Sequence, residues 1–427
     1  MFVSDNGIIA DEYKRELEAE SIPFEENKHS EEKILVSQII IKSPGIPFTV
    51  PVVQKALERG VRVIDEIEFA AHYTTAKIIA ITGTNGKTTT TLLTYHLLKE
   101  AGLKVGLAGN IGHSLAKQVI EDRYEFYVVE ISSFQLESTY TFKPYVGVIL
   151  NITPDHMDRY EYKLRNYVNA KFKIVENMDQ ADHFIYFKDN HVVRDKVADS
   201  LIKANIHAIS LEEIASAHLE NEDMVFEVGA GDALKINLSE TVLKGKHNAI
   251  NMMAAVKSAL ICGVDDSSVK EGLKTFQNAP HRLEYVTTIN NVEFVNDSKA
   301  TNVDAVGYAL DSFSQSLVWI AGGVDKGNNY DLIMEMVNEK VKALVCLGKD
   351  NSKLRDAFHE QIINLLETGN MKDAVRSAMN YASEHDVVLL SPACASFDLF
   401  NNYEDRGEQF KAAVWELKQE FENHVLS

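Results

Sequence analysis

Ile78-Ile79-Ala80-Ile81-Thr82-Gly83-Thr84-Asn85-Gly86-Lys87-Thr88-Thr89-Thr90-Thr91 decides the fold. Its apolar start reads as a buried parallel strand. Gly83 and Gly86 bracket a turn, and Lys87-Thr88 open an amphipathic helix carrying Leu92, Leu93, Leu97 and Leu98. Strand, glycine turn and helix make a phosphate cradle: the glycines let backbone N–H groups turn inward, and the helix N-terminus adds its dipole. In such a loop Lys87 reaches the outer phosphates and the Thr88 hydroxyl ligates Mg²⁺. The spacing is shorter than the full Walker pattern, because Ile81 stands where that pattern has its first glycine. The competing reading is a glycine turn before an ordinary helix. The strand before and the helix after favour a nucleoside triphosphate.

Size and charge bound the rest. A chain of 427 residues predicts about three domains. Hydrophobic content of 45% and charged content of 25% are those of a soluble globular protein. The net charge of −20 argues against a nucleic-acid partner, which needs basic patches. Cys262, Cys346 and Cys394 are odd in number and dispersed, so the expectation is a reducing cytoplasm without disulfides. Met1-Phe2-Val3-Ser4-Asp5 does not read as a signal peptide, and no apolar run approaches the ~20 residues of a membrane span.

Working outward, residues 1–74 hold strand-like runs at Phe2-Val3-Ser4-Asp5, Ile34-Leu35-Val36, Gln38-Ile39-Ile40-Ile41 and Val61-Arg62-Val63-Ile64, with helices from 11 to about 20 and over 52–59. The order is Rossmann-like, but a first strand with its glycine-rich turn is expected before Phe2. Residues 75–278 alternate strands and helices, predicting a doubly wound, mostly parallel sheet, with a small antiparallel insertion within 206–238. Residues 279–427 repeat the α/β logic with strands at 292–295, 317–321, 343–347 and 387–390, and end in an amphipathic helix. Ligands of such sheets bind beyond the carboxyl ends of the strands, where the polar residues cluster.

Several groups at those ends can carry chemistry. Glu130 ends a strand expected beside the phosphate-loop strand, so its carboxylate is either a Mg²⁺ ligand or a surface glutamate. His156 sits in the loop after the next strand, as a metal or phosphate ligand or a structural histidine. Lys171 is one exposed helix lysine among several, or a lysine near two cations that takes up CO₂ as a carbamate. Arg282, in His281-Arg282-Leu283-Glu284, is placed to meet an anion with its planar fork. Asp297 suits a nucleotide ribose or an orienting role. Asp297 and Lys299 sit at the first strand end of the last segment, and Lys326 and Ser396 at later strand ends on the same edge, where these two could bind a small carboxylate substrate; for each the alternative is a solvated loop residue.

Together, Gly83-Thr84-Asn85-Gly86-Lys87-Thr88, Gly109-Asn110-Ile111-Gly112, Glu130-Ile131-Ser132-Ser133-Phe134-Gln135-Leu136, Asn151-Ile152-Thr153-Pro154-Asp155-His156 and His247-Asn248 through Asn251 resemble the Mur ligases. The runs Asn296-Asp297-Ser298-Lys299-Ala300-Thr301-Asn302 and Leu390-Ser391-Pro392-Ala393-Cys394-Ala395-Ser396-Phe397-Asp398 are similar to its D-glutamate-adding branch. The resemblance covers nearly the whole chain. It implies three domains: an incomplete Rossmann-like UDP-binding domain (1–74), a central P-loop ATPase-type domain (75–278) and a C-terminal Rossmann-like domain (279–427). It implies ATP-driven amide formation between UDP-N-acetylmuramoyl-L-alanine and D-glutamate by a cytoplasmic monomer, in peptidoglycan precursor synthesis. ATP would lie on Gly83, Thr84, Asn85, Gly86, Lys87, Thr88, Thr89, Asn248, Asn251, Arg282 and Asp297. Two Mg²⁺ ions would take Thr88, Glu130, His156 and a carbamate on Lys171. Asp5, Asn6, Ser43 and Gly45 would serve the uridine pocket, Thr301, Lys326, Ser396 and Tyr403 the D-glutamate pocket, and Asn110, Ser132, Lys299 and Phe397 would be further substrate-binding residues. Lys87, Lys171, His156 and Arg282 would carry the reaction. Without the first strand and its turn, a complete uridine pocket is not expected. The rival expectations are a related folylpolyglutamate-type ligase and a nucleotide-binding but silent protein.

Overall fold

The computed structural model describes residues 1–111, 113–229, 232–243 and 245–425. The chain divides into two compact units. Unit 1 comprises Met1–Gly83, Leu98–Ala208 and Ile261–Val264; unit 2 comprises Thr84–Leu97, Ile209–Leu260 and Asp265–Ser427.

Unit 1 begins with two separate two-stranded parallel sheets, β1 (Val3–Ser4) with β2 (Phe24–Glu25) and β3 (Ile39–Ile41) with β4 (Arg62–Ile64). Ile39 and Ile41 of β3 are exposed, although the interior strands of a parallel sheet are covered on both faces. The Ile34-Leu35-Val36 run is not a strand. Ile34 ends the short helix Glu31–Ile34, whose first turn carries Glu31 and Glu32. Two acids at a helix N-terminus suit its dipole, and this local signal outweighs the β-preference of a three-residue apolar run.

The main sheet of unit 1 runs in the order β6 (Val105–Gly109), β7 (Phe126–Glu130), β5 (Lys77–Thr82), β8 (Val146–Ile149), β9 (His183–Phe187) and β10 (Asn205–Ser210). Parallel pairing sets Ile81 against Glu130 and Thr82 against Ile149. The phosphate-loop strand is therefore central, and the strands leading to Glu130 and to the His156 loop flank it. Ile79, Ala80 and Ile81 are wholly buried, as a strand covered on both faces requires.

In unit 2 the antiparallel strands β11 (Ala217–Glu220), β12 (Asp223–Glu227) and β13 (Ala233–Asn237) form the expected insertion. Its larger sheet has the order β14 (Glu284–Ile289), β15 (Val292–Asn296), β19 (Val387–Leu390), β16 (Leu317–Ala321), β17 (Val341–Leu347) and β18 (Asn364–Thr368). All its pairs are parallel except β14 with β15. β14 and β18 had no clear sequence signal: their residues are largely half-exposed, so neither reads as an apolar run. Trp319 and Phe358 pack on one face of this sheet and Phe294 and Phe410 on the other.

Candidate functional site

The phosphate-loop helix Lys87–Glu100, of which the part to Leu97 belongs to unit 2, starts at the lysine itself, just after Gly86 at φ +85°. Lys87 Nζ donates to the Thr84 carbonyl at 2.9 Å. The Thr88 hydroxyl is buried and accepts from two cations distant in sequence, Arg282 Nη2 at 3.3 Å and Lys299 Nζ at 3.2 Å. Asn302 Nδ2 donates to Asn85 Oδ1 at 3.2 Å. Thr89 donates to Asn278, and Thr90 donates to Asn251, which in turn donates to Asn248. Most of the ATP-side residues expected from the sequence thus gather around the start of one helix. Lys299 gathers with them, although the sequence reading counted it among the substrate-binding residues.

Arg282 is aimed by a strained turn. His281 and Leu283 adopt positive φ, +65° and +44°, which non-glycine residues rarely do. The turn is held by His281 N–H to Glu284 Oε2 at 2.9 Å and by Leu283 N–H to Asp297 Oδ1 at 3.2 Å. Burial pushes the Asp297 carboxyl up to about 7, against the bond from Ser391 and the charge of Arg282.

Thr301, Lys326, Ser396 and Phe397 follow β15, β16 and β19, three neighbouring strands. Ser396 is buried, whereas Lys326 and Phe397 are exposed. Arg406, which the sequence reading passed over, fastens these loops together. It is 1% exposed and donates to Ser298 Oγ and to the carbonyls of Ser298, Gly322 and Cys394. Burial lowers its pKa to about 10. Its only sequence signal was its place on the amphipathic C-terminal helix. Tyr403, on the same helix, lies under the Lys299 ammonium at 5.1 Å.

In unit 1, Glu130 is 1% exposed. Its Oε1 accepts from Asn110 Nδ2 at 2.9 Å, and its Oε2 is buried with no partner among the described residues. Lys171 is equally buried, its Nζ donating to the Gly83 carbonyl at 2.8 Å and lying 4.6 Å from the centre of the Tyr167 ring. The reading of Lys171 as an exposed helix lysine is therefore wrong: the helix Leu164–Phe172 turns it inward. His156, at φ +52°, meets the Phe134 ring edge-on at 5.0 Å. A cavity of about 880 Å³ opens there, lined by Gly45, Phe48, Phe134, His156 and Arg159 among others. Asp5 and Asn6 do not line it. Asp5 accepts from the Gly7 N–H in its own turn, and Asn6 is exposed. Ser43 is exposed too. Ser132 caps the helix Ser133–Leu136 through a reciprocal pair with Gln135. Gly112 lies outside the described residues. No group of three or more His, Cys, Asp or Glu among the described residues is arranged to hold a metal ion.

A phosphate loop whose threonine takes two cations from the α/β part of its own unit defines a nucleotide-using α/β protein. The Mur ligase middle domain matches residues 81–259, and the Mur ligase glutamate ligase domain matches residues 281–394. UDP-N-acetylmuramoylalanine--D-glutamate ligase of Cytophaga hutchinsonii is 50% identical over 97% of this chain and 93% of its own. The enzyme of that name from Christiangramia forsetii is 47% identical over 98% and 94%. Among solved structures, MurF ligase from Thermotoga maritima in complex with ADP is similar at a TM-score of 0.62 and 16% identity, over 90% of this chain and 99% of that one. The chain belongs to the Mur ligase family, in the branch of the UDP-N-acetylmuramoylalanine--D-glutamate ligases.

Proposed function

We propose that this chain joins the amine of D-glutamate to the alanyl carboxylate of UDP-N-acetylmuramoyl-L-alanine at the expense of ATP, as a cytoplasmic monomer of three domains, 1–74, 75–278 and 279–427. The observation that carries this reading is the pair of cations, Arg282 and Lys299, on the hydroxyl of Thr88. They bring positive charge to the loop built for phosphate, and the nearby strand ends hold the residues assigned to the amino acid.

A carboxylate is a poor acyl donor, so it must first be activated. Its oxygen attacks the γ-phosphorus, the bond to the β–γ bridging oxygen breaks, and ADP leaves. Lys87, Arg282 and the loop N–H groups neutralise charge building on the phosphoryl oxygens, which is the largest help a protein gives this step. The D-glutamate amine then attacks the acyl carbon, phosphate departs with the former carboxylate oxygen, and the amine loses a proton. Lys326, Thr301 and Ser396 hold the D-glutamate carboxylates, with Phe397 and Tyr403 beside them. The unit 1 cavity beside Gly45 and His156 takes the muramoyl-alanine end, and Asn110, bonded to Glu130, contacts the substrate; Asp5, Asn6, Ser43 and Ser132 serve the uridine and sugar side.

The orphaned buried oxygen of Glu130 fits a cation, whereas the Thr88 hydroxyl, which accepts from Arg282 and Lys299, would have to give up those bonds to take one. Glu130, His156 and a carbamate on Lys171 would hold one Mg²⁺ and Thr88 another. When bound, these ions neutralise phosphate charge and align the reacting oxygens. A carbamate N–H would retain a donor for the Gly83 carbonyl, which supports this reading of Lys171.

Phosphate release tests the reading. Release is expected only when ATP, UDP-N-acetylmuramoyl-L-alanine and D-glutamate are all present, with the dipeptide product found by mass spectrometry. Equal release with L-glutamate, or without the UDP substrate, would overturn it.

A further inference from the structure

Arg159 lies in the loop after His156, and no sequence motif singled it out. Its side chain is only 10% exposed, and that of its partner Glu137 15%. The two form a forked ion pair, Nε to Oε1 at 3.2 Å and Nη2 to Oε2 at 2.8 Å. The same guanidinium donates to the carbonyls of Gly45 at 3.2 Å and Ile46 at 3.5 Å. It also lies over the Phe134 ring, 4.1 Å from its centre, and Phe134 meets His156. The Arg159 N–H donates to the His156 carbonyl at 3.0 Å. One planar group thus links three pieces of unit 1: the 43–46 turn, the end of the helix bearing Phe134, and the His156 loop.

That loop needs an external hold. His156, Glu161 and Tyr162 all have positive φ, between +52° and +56°, and none is glycine. Conformations of this kind persist when their surroundings over-determine them. The Arg159 fork supplies such a restraint, and its geometry is one that lysine does not reproduce.

We propose that Arg159 is a positioning residue for the nucleotide-sugar acceptor. By clamping the 43–46 turn against Glu137 and Phe134, it sets the width of the cavity between Gly45 and His156. The acceptor is thereby held at one position within that cavity. Arg159 does this through its neighbours and not by bonding the acceptor, since its nitrogens are committed to Glu137 and the two carbonyls. The inference rests on the assignment of this cavity to the acceptor.

The test compares the full chain with Arg159→Lys, Arg159→Ala and Glu137→Gln. The KM for UDP-N-acetylmuramoyl-L-alanine is expected to rise ~10-fold or more in Arg159→Lys, while kcat and the KM values for ATP and D-glutamate stay within ~3-fold, the pattern of lost ground-state positioning. Glu137→Gln should show a smaller rise of the same kind. A residue that only stabilised the fold would lower the melting temperature and leave the KM of the folded enzyme alone. An unchanged acceptor KM in Arg159→Lys, or an equal rise for all three substrates, overturns the proposal. Calorimetric titration of the acceptor reads the same point without turnover: weaker binding by Arg159→Lys supports it, and equal binding overturns it. If the unaltered chain bound no acceptor, both this inference and the assignment of the cavity would fall. If it bound acceptor but released no phosphate, only the proposed reaction would fall. Should Arg159→Ala not fold, Arg159→Lys and Glu137→Gln decide.

Discussion

The imidazole of His281 lies directly against Gly407: a Cβ at that glycine would stand 2.1 Å from His281 Nδ1. His281 is 5% exposed and its Nδ1 is within 2.9 Å of the Asn296 amide nitrogen. The C-terminal helix is thereby seated against the turn that aims Arg282. Gly407→Ala must displace the ring or the helix, at a cost of about 1–3 kcal/mol for overpacking. Urea unfolding should show a lowered midpoint, and the KM for ATP should rise with it. A Gly407→Ala protein as stable as its parent would show that the ring moves aside freely.

Lys87→Ala should abolish turnover without unfolding the protein. The side chain is bonded to its own loop at Thr84 and does not belong to a core cluster. Loss of one cation that stabilises the transition state costs at least ~10²-fold. Phosphate release by the folded variant at near the parental rate would remove Lys87 from the reaction.

For Lys171, the expected adduct is a labile carbamate formed in the presence of CO₂ and Mg²⁺. Lys171→Ala should be inactive and regain part of its activity with added small carboxylates. Lys171→Glu should keep more than Lys171→Ala, because it restores an anionic oxygen at shorter reach. Native mass spectrometry under CO₂, with formate or acetate rescue, checks both. Neither adduct nor rescue would remove the carbamate.

Asp65 links stability to pH. It is wholly buried, and its Oδ1 caps the helix Glu66–Ala71 by accepting from the Ile67 N–H at 2.9 Å. Burial pushes its carboxyl from 3.8 up to about 7, against the bond from Ile67. Between those values the folded protein holds a proton that the unfolded chain has released. Its contribution is therefore full below about pH 4 and is lost as pH rises through about 7. Asp65→Asn keeps the cap and removes the titration. From pH 4.5 to 8, urea midpoints should fall further for the parent than for Asp65→Asn; parallel curves would show that Asp65 does not titrate in this window.

Local pattern determined a good deal by itself. Apolar runs, glycine placement and the Lys-Thr pair mark the phosphate loop, because a strand, a turn and a helix start each depend on a few adjacent residues. The alternation of elements likewise implied a parallel sheet, and the structure sets Glu130 beside the loop strand as expected. The polar strand ends fall at one edge of each sheet, since a parallel sheet presents its loops there.

What only the tertiary structure decided is which distant residues meet. Arg282 and Lys299 reach Thr88 across 194 and 211 positions of sequence. Arg159 takes the Gly45 carbonyl, and Arg406 gathers three loops, through contacts no periodicity encodes. Burial is also a tertiary property: it turned Lys171 from a surface lysine into an enclosed one and raised Asp65 and Asp297. A charge run in the sequence looks the same whether water or protein surrounds it, and only packing removes the water.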